Sequence, residues 1–277
     1  MTLKNKVAIV TGSSMGIGKA ISHALGSAGC KVVLNGRTQD RLHSAAAEME
    51  SQGYEVYPIA ADVSNWEDCE RLVEECIAHF GRLDILINNA GAATRGPVED
   101  LKPEVFQKIT NINLLGSIFP SKAALSALKE SKGSIIYISS IASFYGIPYN
   151  SIYSATKKAL TAFAESLRIE TRHQGIHVGI AYVGFTENDP KKIILDSDGQ
   201  RIYLENREGV KKQSPEKVAG VILNMIRQRK SSHTLSLPGK GLKFIAKFAP
   251  FLIKFIYQKN LGTIKEASSG TPRYVDT

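Results

Sequence analysis

The sequence predicts a single α/β domain: a doubly wound parallel sheet with helices on both faces, followed by an amphipathic C-terminal arm. Three observations carry this expectation. Through the first two-thirds of the chain, short apolar runs alternate with stretches of helical period, and strand–helix alternation calls for a parallel sheet covered on both sides. Crossover handedness then favours a doubly wound order. A glycine-rich turn at 11–18 follows the first apolar run directly. Finally, 277 residues with 43% hydrophobic and 22% charged side chains suit one sizeable core and exclude a mainly disordered, collagenous or coiled-coil chain.

Each element has its own signal. Residues 6–11 (KVAIVT) form the first strand and about 17–28 the first helix. A second run at 31–34, a helix at about 40–52 and a third strand at 56–60 follow. Ser64 precedes Glu67 by three residues, a capping-box signature. Beyond it, Cys69, Leu72, Val73, Cys76, Ile77 and Phe80 recur at helical spacing and mark one buried stripe. Further strands are expected at 83–87, 134–138 and 177–182, and a last one at 233–237. Ser214-Pro215 opens a helix with a cap and then proline at the first helical position.

Charge is divided unevenly. Residues 1–189 hold 18 Lys/Arg against 19 Asp/Glu, whereas 190–277 hold 17 against 7, so the net +9 lies in the last third. The three cysteines, Cys30, Cys69 and Cys76, lack CxxC spacing and cannot all pair, so no disulfide framework is expected and a reducing cytoplasm is the default. The N-terminal apolar run is too short for a secretion signal, and no charge-free stretch approaches the roughly 18 residues of a membrane span. Six scattered histidines form neither HxxxH nor HExxH, so no metal site is expected.

The chemistry-bearing segments lie at strand ends. Thr11-Gly12-Ser13-Ser14-Met15-Gly16-Ile17-Gly18 joins the first strand to the first helix, where glycines permit a tight turn and the helix N-terminus faces an anion such as a dinucleotide pyrophosphate. Tyr153 and Lys157, four apart, share one helix face. A phenol titrating near ~10 is a poor acid–base group at neutral pH, and a neighbouring ammonium is expected to lower it. Ser140 ends a strand on the carboxyl side of the sheet, where its hydroxyl can hold a carbonyl oxygen beside Tyr153.

Together these residues resemble the short-chain dehydrogenase/reductase family over about residues 5–240. The TGxxxGxG turn matches its nucleotide signature, Asn88-Asn89-Ala90-Gly91 its NNAG element, and Asn113-Leu114-Leu115-Gly116 its N-x-x-G helix segment. Ser140 and Tyr153-Ser154-Ala155-Thr156-Lys157 match its Ser–YxxxK set. YxxxK alone is weak in a chain with ten tyrosines; four elements in the family's order and spacing are specific. The resemblance implies a Rossmann-like fold over 1–240. It also implies an NAD(P)-dependent oxidoreductase that interconverts a secondary alcohol and a ketone. Catalysis would use Asn113, Ser140, Tyr153 and Lys157. Cofactor contacts would come from Gly12, Ser14, Gly16, Ile17, Gly18, Asp62, Val63, Asn89, Ala90, Gly91, Tyr153 and Lys157. By the same resemblance Asn113 supports a water chain, with Asn111 a close alternative, and the chain is a homo-oligomer. The rival reading is an NADP-sensing protein without catalysis; members of that sort lose the Tyr or the Lys, and this chain keeps both.

The second strand ends Leu34-Asn35-Gly36-Arg37-Thr38. An NAD-selective site normally has a carboxylate here for the ribose hydroxyls. Gly36 leaves room instead, Arg37 offers a planar fork to a 2′-phosphate and Thr38 a hydroxyl. NADP(H) is therefore expected over NAD(H), although Met15 stands where many NADP-preferring relatives carry a basic residue.

Two regions depart from the family pattern. After the sixth strand, Val183 replaces the usual proline and Asn188 the usual threonine, which leaves Val183 and Thr186 as the expected cofactor contacts there. Residues 190–212 carry Asp-Gly between apolar flanks, a hairpin signal, and are expected to form a substrate lid offering Ile193, Ile194 or Tyr203 to an apolar pocket. The alternative is an ordered surface insertion.

The arm, 241–260, precedes a polar tail at 261–277. Drawn as one helix, it sets Lys243, Lys247 and Lys254 within about 40° of one another, with phenylalanines and aliphatics around the rest. A basic stripe beside a broad apolar face suits a bilayer interface, with Pro250 expected to kink or split the helix. An arm packed on the body or across a dimer is the alternative, and the apolar face argues against nucleic acid. The sequence thus points to a cytoplasmic enzyme, with peripheral membrane contact through its arm, acting on a small ketone or alcohol of apolar or lipid-like character.

Overall fold

The computed structural model describes residues 2–187, 189, 192–204, 212–266 and 274. Its centre is a seven-stranded sheet made of β1 (Val7–Val10), β2 (Lys31–Gly36), β3 (Val56–Ala60), β4 (Ile85–Asn88), β5 (Ser134–Ser140), β6 (His177–Val183) and β9 (Ser232–Thr234). Every pairing is parallel, in the order β3-β2-β1-β4-β5-β6-β9. The order reverses between β1 and β4, and a crevice for ligands opens there at the carboxyl ends of the strands.

Continuous apolar runs suit strands covered on both faces. Alternate residues of one strand enter opposite cores. Ala8 and Val10 join a cluster with Ile21 and Leu25 of α1 (Gly16–Ser27), Leu42 and Met49 of α2 (Gln39–Ser51), and Ile222 and Ile226 of α7 (Pro215–Gln228). Val7 and Ile9 face the other way, toward Leu72 and Cys76 of α3 (Trp66–Phe80), Leu128 of α5 (Gly116–Ser131), and Leu160 and Leu167 of α6 (Ser151–Glu170). All three cysteines are buried and free, and burial pushes each thiol up to about 12. These are core residues, not a redox pair.

Local chemistry explains where elements start and stop. Ser214 caps α7 as expected, accepting from the Lys217 amide at 3.2 Å. The capping box at Ser64 and Glu67 does not form. Asn65 caps α3 instead, accepting from the Asp68 amide at 2.8 Å, because the Ser64 hydroxyl is held by Asp62 Oδ1 at 2.7 Å. Between α4 (Pro103–Thr110) and α5 lies one π turn, Asn111–Leu115. The expected last strand is also shorter. It stops at Thr234, and Ser236 caps α8 (Leu237–Phe248) with Pro238 in the first turn. Ala249 then leaves helical geometry (φ −143°, ψ 55°) and Pro250 opens α9 (Pro250–Lys259), so the arm is split where proline was expected to split it. A short α10 (Leu261–Glu266) follows; most of the polar tail lies outside the described residues.

The Asp-Gly hairpin forms. β7 (Ile193–Leu195) and β8 (Arg201–Tyr203) pair antiparallel, with Asp196 Oδ1 accepting from the Asp198 and Gln200 amides and Gly199 at φ 82°. The remainder of the lid, at 190, 191 and 205–211, lies outside the described residues, as does Asn188.

The two capping positions respond differently to change. Asn65→Ala is expected to lower unfolding free energy by about 1 kcal/mol, and Ser64→Ala by less, since its hydroxyl caps no helix; chemical denaturation of the two variants measures both.

Candidate active site

The crevice begins with the glycine turn. Thr11 Oγ1 accepts from the amides of Asn89 and Ala90, both at 3.0 Å, while Asn89 Nδ2 donates to the carbonyls of Thr11 and Gly12 at 2.9 and 3.0 Å. The Asn89 amide is therefore used to fasten the turn to β4. A Cβ at Gly18 would collide with the Gly12 carbonyl and the Asn89 amide, and Gly16 has φ 55° with open space before it. Ile17 packs its side chain on the core behind the turn. At the start of α1, Met15 is extended, makes no side-chain cap, and no acidic residue occupies the first turn. Free N–H groups without a carboxylate are what an anion needs.

One hollow adjoins this turn, and a second lies past the ends of β2 and β3. The first, of about 280 Å³, is lined by Ser14, Met15, Lys19, Asp40, Arg41 and Ser44 among others; the second, of about 330 Å³, includes Arg37, Asp62, Ser64, Lys108 and Asn111. Arg37 is exposed and lies 3.6 Å from Asp62. Thr38 stands at the N-cap of α2 without using its hydroxyl there. Asp62 holds Ser64 and so shapes the turn after β3, and Val63 is buried against Gly116. The first hollow also includes Asp189 and the second Glu104, so each carries two acidic and two basic side chains, and it is the open turn and uncapped helix start that fit a dinucleotide with phosphates.

Across the crevice, Ser140 closes β5 and pairs in register with Val183 of β6. Tyr153, in the first turn of α6, is half-buried, and its phenol is hydrogen-bonded to the Ser140 hydroxyl. Lys157 Nζ lies 5.9 Å from the Tyr153 ring and donates to the Ile138 carbonyl at 3.0 Å. A Cβ at Gly91 would stand 3.7 Å from that ammonium. Asn113, wholly buried in the π turn, accepts from the Ala92 amide at 2.7 Å and donates to the Ala92 carbonyl at 2.9 Å and to Thr156 at 3.2 Å. Asn111 lines the second hollow instead, so Asn113 is the amide built into the site. Thr186 Oγ1 donates to the Gly184 carbonyl of its own turn at 3.4 Å, and the Thr186 backbone bridges to Gln213.

Electrostatics correct one expectation. The Tyr153 phenol is raised, not lowered, because burial outweighs the Ser140 hydrogen bond. Burial, with the charge of Lys192 adding to it, pushes Lys157 down to about 8. A desolvated ammonium that is itself destabilised cannot dominate its neighbour.

The hairpin is fastened at the mouth. The Leu195 amide donates to the Ala93 carbonyl at 2.9 Å, the Lys102 amide to the Ser197 carbonyl at 3.0 Å, and Lys102 and Asp198 pair at 2.9 Å. Leu195 joins Leu101, Val105 and Ile109 in a small core against which Ile152, the neighbour of Tyr153, packs. Ile194 is buried, while Ile193 and Tyr203 are half-buried. Sequence reasoning did not single out Leu195, Arg41, Lys19 or Lys192. Leu195 was legible as the third apolar residue of its run; the basic residues carried no local signature.

The glycine turn after β1 and the group of Ser140, Tyr153 and Lys157 thus lie at one carboxyl edge of the sheet. The family model described as short chain dehydrogenase matches residues 6–196, and the chain belongs to that family. It is 40% identical over 189 residues to the 11-beta-hydroxysteroid dehydrogenase-like 4A of Arabidopsis thaliana, covering 67% of this chain and 62% of that protein. It is 29% identical over 271 residues to the dehydrogenase/reductase SDR family protein 7-like of Drosophila melanogaster, covering 96% of this chain and 83% of that one. Among solved structures, an alcohol dehydrogenase from the archaeon Thermococcus sibiricus complexed with 5-hydroxy-NADP superposes with a TM-score of 0.74 at 28% identity, covering 83% of this chain and 96% of that one.

Burial of Lys157 has a measurable consequence. Its ammonium titrates near 8 when folded against 10.5 in the free side chain, so between those values the unfolded chain binds more protons and this group's contribution to stability rises with pH. Relative to Lys157→Met, the cofactor-free wild type is expected to gain about 2–3 kcal/mol between pH 8 and about 10.5, read from urea melts at each pH.

Proposed function

We propose that the chain is an NADP(H)-preferring oxidoreductase that interconverts a secondary alcohol and a ketone, with Tyr153 as the general acid and base. The observation that carries the reading is the Tyr153 phenol hydrogen-bonded to Ser140 at the carboxyl end of β5, with the buried Lys157 beside it. Bound in the crevice, the nicotinamide cofactor supplies or accepts the hydride. Ser140 holds the substrate oxygen, and Tyr153 gives its proton to that oxygen during reduction or takes it back during oxidation. The raised phenol is protonated at neutral pH, which supports the reductive direction. Lys157, positively charged below about pH 8, binds the cofactor's ribose side and stabilises the phenolate left after proton transfer. Asn113 holds Ala92 and the π turn, and through that turn it supports proton supply.

Cofactor preference rests on the end of β2. No carboxylate follows Gly36, Arg37 and Thr38 are exposed there, and Ser14, Lys19 and Arg41 line the neighbouring hollow. The wall formed by Leu195, Leu101, Val105 and Ile152 favours an apolar substrate. The buried free cysteines suit a reducing cytoplasm, and the exposed Ile169 on α6 supports self-association through that helix.

Tyr153→Phe is expected to lower kcat for ketone reduction by about 100-fold or more while leaving the NADPH dissociation constant near wild type; retained turnover refutes the assignment. Arg37→Ala is expected to lower kcat/KM for NADPH by about 10- to 100-fold with little effect on NADH. Steady-state kinetics with both cofactors reads the ratio, and an unmoved ratio removes Arg37 from the phosphate site.

A further inference from the structure

The two arm helices have an inner and an outer side. On the inner side, Gly239 lies so close to Ile141 that a Cβ would stand 2.8 Å from its Cγ2, and Ile141 opens the short turn Ile141–Ser143 that follows Ser140 directly. Lys243 Nζ sits 5.7 Å from the Phe144 ring and 5.3 Å from the Tyr182 ring, Tyr257 meets Tyr145 with ring centroids 5.8 Å apart, and Ile253 is only 3% exposed. The arm thus rests on the loop between Ser140 and Tyr153, at the mouth of the site.

The outer side is apolar and uncovered. Phe244, Phe248, Phe251 and Phe255 are 62–67% exposed, and Leu252 and Ile256 lie among them. Such a contiguous aromatic surface marks a contact site. Lys240, Lys247, Lys254 and Lys259 on the two helices are exposed as well, and neither helix contains Asp or Glu. A second copy presenting the same face would bring these lysines together without a counter-charge, whereas an anionic lipid surface neutralises them while the rings enter the acyl boundary. Neither arm helix is long enough to cross a bilayer, and no described helix qualifies as a span.

We propose that α8 and α9 form a docking face for anionic lipid bilayers and hold the mouth of the active site at the membrane surface, so that an apolar alcohol or ketone dissolved in lipid enters the site directly. The substrate clause rests on the oxidoreductase reading; the docking clause does not.

The test uses the full chain and a full-chain variant, Phe244→Ser with Phe248→Ser, Phe251→Ser and Phe255→Ser, whose NADPH affinity and melting temperature check that the body is intact. Wild type is expected to co-sediment with phosphatidylcholine–phosphatidylserine vesicles at low salt and far less with phosphatidylcholine alone. The variant loses about tenfold in vesicle affinity per ring removed, and Lys247→Glu with Lys254→Glu weakens only the anionic preference. Wild type that stays in the supernatant overturns the docking face, and if the phenylalanine variant then changes oligomeric mass, the face joins subunits. For entry from lipid, a membrane-partitioning ketone added with vesicles should show a lower KM for wild type than for the variant, and a water-soluble ketone should not distinguish them. Equal KM values for both ketones, with vesicle binding intact, refute the entry route. Turnover of no ketone by any form, with sedimentation as expected, refutes the oxidoreductase reading and leaves the docking face standing.

Discussion

The reciprocal clip between Thr11 and Asn89 is the constraint on which the site depends. Six polar groups from two neighbouring strand ends satisfy one another within 3.0 Å, so the glycine turn and the end of β4 behave as one rigid rim. The arrangement is possible only where the sheet order reverses, because there β1 and β4 lie side by side while their crossover helices leave in opposite directions. Gly18 is required because the clip fills the space that a side chain there would take. From that rim the rest is positioned by register: β5 pairs with β4, Ser140 ends β5, and Val183 stands opposite it on β6.

Burial dominates the electrostatics of the reacting group. Lys157 is removed from water and Tyr153 partly so, which favours neutral amine and neutral phenol alike. Such a pair is poised. A negative charge arriving nearby strengthens the ammonium against this burial, and the ammonium in turn draws the phenol toward ionisation. The two groups acquire their working states together, when an anionic partner is in place.

Most of the fold was legible from period and punctuation. Apolar runs separated by helical stretches place all seven parallel strands, and Ser214-Pro215 marks α7 because cap and proline act through local geometry. Local rules failed where two of them competed. Ser64 has the right spacing for a cap, but the Asp62 carboxylate, two residues back, claims its hydroxyl and Asn65 takes over. At 233–237 the strand yields early because Ser236 and Pro238 together start a helix. Ser140, Tyr153 and Lys157 were readable because their spacing is a motif. Direct ionisation of Tyr153 by Lys157 was misjudged because spacing carries no information about burial. Asn111 and Asn113 could not be separated by sequence; the π turn separates them by sending one inward and the other to the rim.

The hairpin at 193–203 meets α6 through the small core of Leu195, Leu101, Val105 and Ile109 against Ile152. Its ties to Ala93 and Lys102 are to main chain or to the surface. On the proposed reading, the proton-handling residues sit on sheet and helix, and the hairpin adds Leu195 to an apolar wall that Leu101, Val105 and Ile152 build from the body. A lineage built this way can change what it acts on while keeping how it acts, and the hairpin is where such divergence should accumulate.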